Sequence, residues 1–155
     1  MVSVRVEHHP RFASQYAALA ELASASDAQW DLFAEVTALL NALEEHGHGI
    51  EEDNHRPDAI SHPIVVSRCQ AFALRRTPPT SVTPYAEAPP VLRIPYVWFD
   101  DTDTGEELAV VMLAGDKTAL GDDWYPGVAK QIDNDMVIDW ERAHPSHRAR
   151  VRRTR

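Results

Sequence analysis

The chain has 155 residues, of which 44% are hydrophobic and 25% charged, and this is ordinary composition for a single globular domain with a sizeable core. The formal net charge of −9 argues against a wide basic surface for nucleic acid, so any contact with RNA has to be local. Residues 1–10 lack an apolar signal core, and no apolar run approaches the ~20 residues of a membrane span, so we expect a cytoplasmic protein without membrane contact.

The first third of the chain predicts one strand and two helices. Residues 2–7 alternate valine with polar residues, which is typical of a strand with one buried face. Helical spacing of apolar residues predicts a helix over residues 12–22 and a longer one over residues 28–45. A serine or aspartate within residues 24–27 is expected to cap the longer helix, and Gly47 or Gly49 to end it.

The middle of the chain predicts three more strands or strand pairs. Residues 64–76 form the first, in which Cys69 is interpreted as a small buried thiol rather than a nucleophile. Residues 77–90 contain five prolines and are therefore expected to lie outside the sheet. Residues 91–99 and 108–114 are apolar and β-branched, and the polar segment between them predicts a hairpin.

The C-terminal part predicts a helix followed by a basic tail. Pro126 suits a first helical turn, and four apolar residues follow at intervals of four, which we interpret as a core stripe: Val128, Ile132, Met136 and Trp140. The last fourteen residues contain six arginines and no acid, which leaves 9 basic against 24 acidic groups in the rest. The tail, residues 142–155, is expected to be disordered, either simply solvated or tethering the protein to ribosomal RNA.

The order β-α-α-β-β-β-α predicts an α+β fold in which helices pack on a four-stranded, mostly antiparallel sheet. The hairpin over residues 91–117 is expected to bring Arg93 near Lys117, with Trp124 and Tyr125 opening the next segment. Cations beside a phenol are groups that phosphate chemistry uses. This stretch is therefore the expected functional site.

Five weak motifs in a fixed order resemble the RelE/HigB family of toxins from bacterial toxin–antitoxin modules. They are Ala42-Leu43-Glu44-Glu45-His46-Gly47, Leu74-Arg75, Leu92-Arg93-x-x-Tyr96, Gly115-Asp116-Lys117 and Trp124-Tyr125. The resemblance covers residues 4–132 and implies a RelE-like domain over residues 1–141. It implies two N-terminal helices on one sheet face, a C-terminal helix, and an opposite face left as a concave surface for RNA.

The resemblance also implies a function and site residues. A toxin of this family cuts messenger RNA on the ribosome through the RNA 2′-hydroxyl, needs no cofactor, and is neutralised by a cognate antitoxin, typically a helix-turn-helix protein. Its catalytic residues would correspond to Arg75, Arg93, Lys117 and Tyr125. Arg68, His62 and Tyr96 are the further residues expected to contact RNA. The arginines and the lysine equally fit structural ion pairs with nearby acids, and His62 equally fits a surface histidine.

Two departures from the family pattern make the expected cleft more acidic. Ala73 stands where the family has a glutamate before Leu-Arg, and Asp122-Asp123 precede the tryptophan. Arg68 and His62 could compensate, because histidine titrates near neutrality and can both donate and accept a proton. The alternative function is a non-catalytic RelE/ParE-fold binding protein, either a gyrase inhibitor or an antitoxin-bound regulator.

Other site classes find little support in the sequence. The pairs His46/His48 and His144/His147 lack both the i, i+4 spacing and the cysteine partners of a zinc site, so no metal is expected. Gly-rich phosphate loops, Ser-elbow motifs and dinucleotide fingerprints do not occur.

Overall fold

A computed structural model describes residues 4–51, 60–75, 92–116 and 123–152 of the chain. The elements in its first half are β1 (Arg5–His8), α1 (Pro10–Leu22), α2 (Asp27–His46), a 3₁₀ turn (Gly47–Glu51), β2 (Ser61–Pro63) and β3 (Ala71–Arg75). Those in its second half are β4 (Leu92–Asp101), β5 (Glu107–Val111), β6 (Gly115–Asp116), α3 (Trp124–Gln131), a π-helical turn (Ile132–Met136), α4 (Val137–Ala143) and β7 (His147–Ala149).

The strands form one mixed sheet in the order β1-β5-β4-β3-β2, and β6 and β7 pair with the two ends of the long β4. β1 runs parallel to β5, and the other pairs are antiparallel. The α+β class is confirmed, but the predicted count of four strands is wrong. The four predicted strands correspond to β1, β3, β4 and β5, while the added strands have only two or three residues each. Such short runs carry no periodic signal and exist because a neighbouring strand pairs with them.

The helix boundaries follow the predicted caps. Ser26 precedes α2, and its Oγ accepts a hydrogen bond from the Gln29 N–H at 3.1 Å. Gly47 follows α2 with a φ of 53°, which favours glycine, and a Cβ there would lie 2.7 Å from Cγ1 of Val4. The end of α2 is thus fixed by backbone conformation and by close packing against the segment before β1.

Helices cover both faces of the sheet, because side chains alternate along each strand. One face packs against α1 and α2 through Leu74, Ile94, Tyr96, Trp98, Ala109 and Val111. The other packs against the C-terminal helical stretch through Ala71, Ala73, Val97, Phe99, Leu108 and Val110. The predicted core stripe of Val128, Ile132, Met136 and Trp140 is confirmed as buried. The expectation of an open concave face is therefore wrong along these positions, since α3 and α4 occupy it.

The C-terminal segment belongs to the fold, and the predicted disorder of residues 142–155 is wrong for residues 142–152. β7 pairs with Phe99, Asp100 and Asp101 of β4, and Val151 bridges to Cys69. The Arg150 guanidinium donates to Asp100 at 2.9 Å and to Glu107 at 2.9 Å. The charge composition suggested a disordered tail, but Arg150 pairs with acids of the sheet and Arg152 donates hydrogen bonds to its backbone carbonyls. Residues 153–155 lie outside the described residues.

Candidate phosphate-binding pocket

Arg75 and Arg93 lie directly opposite each other on β3 and β4. Arg75 is the last residue of β3 and Arg93 the second of β4, so the pair stands at one end of the sheet. Alternation places both side chains on the face covered by α3, and both residues are half-buried. Like charges opposite each other across a ladder repel, which favours an anion beside them.

Tyr125 lies in the first turn of α3 and lines the same cavity as the two arginines. Its hydroxyl oxygen accepts a hydrogen bond from Nε of Arg93 at 3.1 Å, and the guanidinium also donates to the Leu92 carbonyl at 2.8 Å. Trp124 is buried beside Gly115, where an added Cβ would overlap the indole ring. Because Gly115 has no side chain, the Trp124 ring can pack against its backbone. This contact fixes the start of α3, where Tyr125 is the next residue.

Arg75, Arg93 and Tyr125 line one cavity of about 270 Å³, which we call the arginine pocket. Its lining residues are His62, Pro63, Ile64, Val65, Val66, Arg75, Arg93 and Tyr125. Four predicted site residues thus meet in one place although they come from β2, β3, β4 and α3. Lys117 lies outside the described residues. The preceding residue, Asp116, pairs with Leu92 at the same end of β4.

Arg68 and Tyr96 are not among the lining residues of the arginine pocket. Arg68 donates through its guanidinium to the Asp133 carbonyl at 3.0 Å and to the Asn134 side chain at 3.3 Å. Tyr96 is 0% exposed and lies on the opposite sheet face, against α1 and α2. A fully buried ring cannot stack on RNA, so the expected RNA contact of Tyr96 is wrong. The motif Leu-Arg-x-x-Tyr separates Arg93 and Tyr96 by three residues, an odd number, so the two side chains point to opposite faces.

Tyr96 instead belongs to a polar cluster that the sequence did not indicate. We call it the Glu51 network, and its members are His48, Glu51, Ser61, Tyr96, Trp98 and Glu107. One oxygen of Glu51 accepts from the Tyr96 hydroxyl at 2.6 Å and from Nε1 of Trp98 at 2.7 Å. Burial, and then the neighbouring Glu51 carboxylate, raise the pKa of Tyr96 well above its usual range.

His48 closes the Glu51 network on its solvent side. Its Nδ1 is 2.9 Å from Glu51, its Nε2 contacts Glu107, and its ring stacks on Trp98 with centroids 3.8 Å apart. Burial lowers the pKa of His48, but hydrogen bonds to the two glutamates outweigh it and leave the pKa raised. His48 and Trp98 are fifty residues apart in the chain, so no local sequence motif indicates that they stack.

In the part of the chain that the structure describes, no group of three or more His, Cys, Asp or Glu side chains has an arrangement that could hold a metal ion, and this includes the two histidine pairs. His147 is buried, and its Nδ1 accepts from Nε1 of Trp140 at 3.0 Å. His144 stacks on the same indole with centroids 3.9 Å apart. These two histidines thus anchor β7 to α4.

Comparisons of the chain with protein-family models, curated proteins and solved structures gave no match. The resemblance to the RelE/HigB family therefore rests on the five motifs. Among the described helices, none is long and apolar enough to cross a membrane.

Proposed function

We propose that the protein is a RelE/HigB-like toxin and that its arginine pocket binds and cleaves messenger RNA on the ribosome. The observation that carries this proposal is the meeting of Arg75, Arg93, Tyr125 and His62 in one cavity. Two guanidinium groups, a phenol and an imidazole are the groups that metal-independent phosphodiester cleavage uses. The chain supplies them from four separate elements, so the fold itself builds the cluster.

Charge supports a local mode of binding. The chain carries a formal net charge of −9, so phosphate groups would be repelled by most of its surface. Arg150 is already paired with Asp100 of β4 and Glu107 of β5, so its charge is partly neutralised within the protein. An RNA strand would then be held mainly at the arginine pocket and positioned by the ribosome.

The reaction needs two proton transfers and stabilisation of the phosphate charge. The 2′-oxygen attacks the adjacent phosphorus and loses its proton to a base, while the bond from phosphorus to the 5′-oxygen breaks. An acid protonates the departing 5′-oxygen, and the products are a 2′,3′-cyclic phosphate and a 5′-hydroxyl. Arg75 and Arg93 would hold the negative charge that accumulates on the phosphate oxygens.

His62 and Tyr125 are the proposed proton carriers. Both line the cavity that contains the two arginines. The imidazole of an unperturbed histidine titrates near neutrality and suits either transfer. The Tyr125 hydroxyl oxygen accepts a hydrogen bond from Arg93, which holds the phenol among the residues that line the cavity, and a phenol O–H can donate its proton to the departing oxygen. The reaction requires no cofactor or metal.

A cognate antitoxin is the proposed partner, with a helix-turn-helix protein as the expected type. Trp30 of α2 and Leu22 of α1 are large apolar side chains that remain exposed. A segment that folds on binding could cover them together with the acidic body of the protein. Protection of α1 and α2 from hydrogen exchange in the complex would support this docking site. Protection limited to the sheet around Arg75 would contradict it.

Inducible expression tests the toxin proposal. The wild type should arrest growth, and Arg75→Ala or Arg93→Ala should relieve the arrest at equal protein level, with the cleavage rate reduced about 10²-fold. Arg142→Ala is the matched control, because Arg142 is an exposed arginine of α4 outside the pocket. Mapping of transcript ends should reveal new cuts within translated regions that end in 2′,3′-cyclic phosphates.

A substrate control isolates the chemistry. A messenger with a single 2′-deoxy nucleotide at the mapped cut should resist cleavage at that position, because the attacking hydroxyl is missing. Full toxicity of the double variant Arg75→Ala/Arg93→Ala would contradict the assignment of the pocket. Intact transcripts together with stalled replication would contradict RNA cleavage and favour a gyrase inhibitor.

A further inference from the structure

One wall of the arginine pocket is apolar and open to solvent. It is the turn between β2 and β3, in which Val65 is 69% and Val66 56% exposed. Exposed aliphatic side chains are unremarkable singly, but here two adjacent ones border a cationic cavity. The pocket thus has a charged end at Arg75 and Arg93 and an apolar wall beside it.

Asp133 holds this turn from the side of the C-terminal helical stretch. Its carboxylate accepts from the Ser67 hydroxyl at 2.6 Å and from the Arg68 N–H at 2.8 Å. The Ser67 N–H donates to the Ile64 carbonyl at 3.1 Å, which closes the turn. Asp133 is buried and lies in the π-helical turn, a type of irregularity found often at functional sites.

Arg152 holds the same turn from the C-terminal segment. Its guanidinium donates to the Ala71 carbonyl at 2.9 Å and to the Ile64 carbonyl at 3.4 Å. Its backbone N–H donates to the Arg68 carbonyl at 2.7 Å. Bonds from two distant segments thus fix the base of the turn, so the valines are presented on a rigid support and little entropy is lost when a ligand packs on them.

We infer that the Val65–Val66 wall is a nucleobase subsite, in which the base next to the bound phosphate packs against the two valines. This inference rests on the proposed function, since it takes the phosphate in the pocket to belong to RNA. A ligand with an anionic group and a flat, largely apolar ring matches the two ends of the cavity. A cavity of about 270 Å³ has room for a phosphate group and an adjacent base.

The chemistry of the wall limits how well it can discriminate among bases. Valine side chains offer no donors or acceptors, so they contact the face of a base and cannot recognise its hydrogen-bonding edge. The contact grows with the apolar area covered, so a purine should bind more tightly than a pyrimidine by a small factor, about two- to fivefold.

Equilibrium binding to the full chain tests the subsite with three probes: inorganic phosphate, ribose 5-phosphate and adenosine 5′-monophosphate. Isothermal titration should give a Kd for the nucleotide about five- to tenfold lower than for ribose 5-phosphate. The double variant Val65→Ser/Val66→Ser should lose this difference and keep the wild-type affinity for inorganic phosphate. Val151→Ser is the matched control, since Val151 is also 69% exposed but lies outside the pocket.

The outcomes separate the subsite from the pocket. Equal affinity of the wild type for the nucleotide and ribose 5-phosphate would overturn the subsite while leaving the phosphate pocket in place. An unchanged nucleotide preference in the double valine variant would also overturn it. No measurable binding of any of the three probes would overturn the subsite and count against the proposed function as well.

Discussion

The arginine pocket and the Glu51 network are two polar clusters built on the same strand, β4, but on opposite faces of the sheet. In the pocket, Arg93 donates to a phenol and a backbone carbonyl and faces an open cavity. In the network, the Glu51 side chain is 10% exposed and receives hydrogen bonds from Tyr96 and Trp98. A largely buried carboxylate whose donors surround it stabilises the fold, whereas cations that line a cavity can contact a ligand there.

The same strand alternation creates both clusters. Odd-numbered side chains of β4, such as Arg93, face α3, while even-numbered ones, such as Tyr96 and Trp98, face α1 and α2. The two clusters should therefore respond differently to substitution. Variants of the network should lose stability, and variants of the pocket should lose ligand binding and activity.

The largest expected effect comes from removing Arg148–Arg155, because this segment contacts both regions. Arg150 pairs with Glu107, a member of the Glu51 network, and Arg152 supports the turn that lines the pocket. Loss of these bonds and of the β7 ladder should lower the free energy of unfolding by roughly 4 kcal/mol, measured by urea denaturation. Deletion of residues 153–155 alone, which keeps all of the described contacts, is the control. Equal midpoints for the long deletion and the wild type would show that the segment is dispensable.

Glu51→Ala should give the next largest effect. It leaves Nε1 of Trp98 without its acceptor and the Tyr96 hydroxyl with Ser61 alone, which should cost about 3 kcal/mol and lower the Tm by about 6–12 °C. Glu45→Ala removes an exposed carboxylate of α2 and should change the Tm by about 2 °C or less. Arg93→Ala should also stay within about 1 kcal/mol of the wild type. A loss for Arg93→Ala as large as that for Glu51→Ala would contradict the distinction between the two clusters.

His48 should give the Glu51 network a pH-dependent stability. The pKa of His48 is raised in the folded state above its ordinary value of 6.5, so protonation favours folding. Its contribution is fully present below pH 6.5 and is lost as the pH rises through the folded-state pKa. The wild type should therefore exceed His48→Gln in stability most at about pH 5.5, and the difference should shrink by about pH 9. A difference that stays constant over this range would contradict the ion-pair role of His48.

The last prediction concerns the Cys69 thiol, which should react only slowly with an alkylating reagent in the folded protein. Burial, and then the nearby Asp133 carboxylate, raise the pKa of the thiol to about 12. At about pH 8 only ~10⁻⁴ of the thiol is ionised, so alkylation by iodoacetamide should be very slow in the folded protein. Unfolding in denaturant should restore the rate of an ordinary thiol. Rapid labelling under native conditions would show that the turn around Cys69 opens readily.

Periodicity in the sequence predicted the long elements correctly. The apolar stripe of α2, the stripe from Val128 to Trp140 and the four main strands all depend on repeated apolar burial, which leaves a regular pattern over many residues. Adjacent strands then bring Arg75 opposite Arg93, so part of the pocket followed from the same pattern. The motifs predicted Tyr125 as a site residue, the chemistry of histidine suggested His62, and both line this cavity.

Only the tertiary structure decided the remaining features, because each depends on one long-range contact. Tyr96 was expected to meet RNA, but the strand alternation turns it towards Glu51, a residue that no motif singles out. The arginines of the C-terminal segment were expected in a disordered tail, either solvated or tethered to ribosomal RNA, but acids and carbonyls of the sheet bind Arg150 and Arg152. The composition of a segment gives its number of charges, but only the folded chain determines which of them form ion pairs or hydrogen bonds.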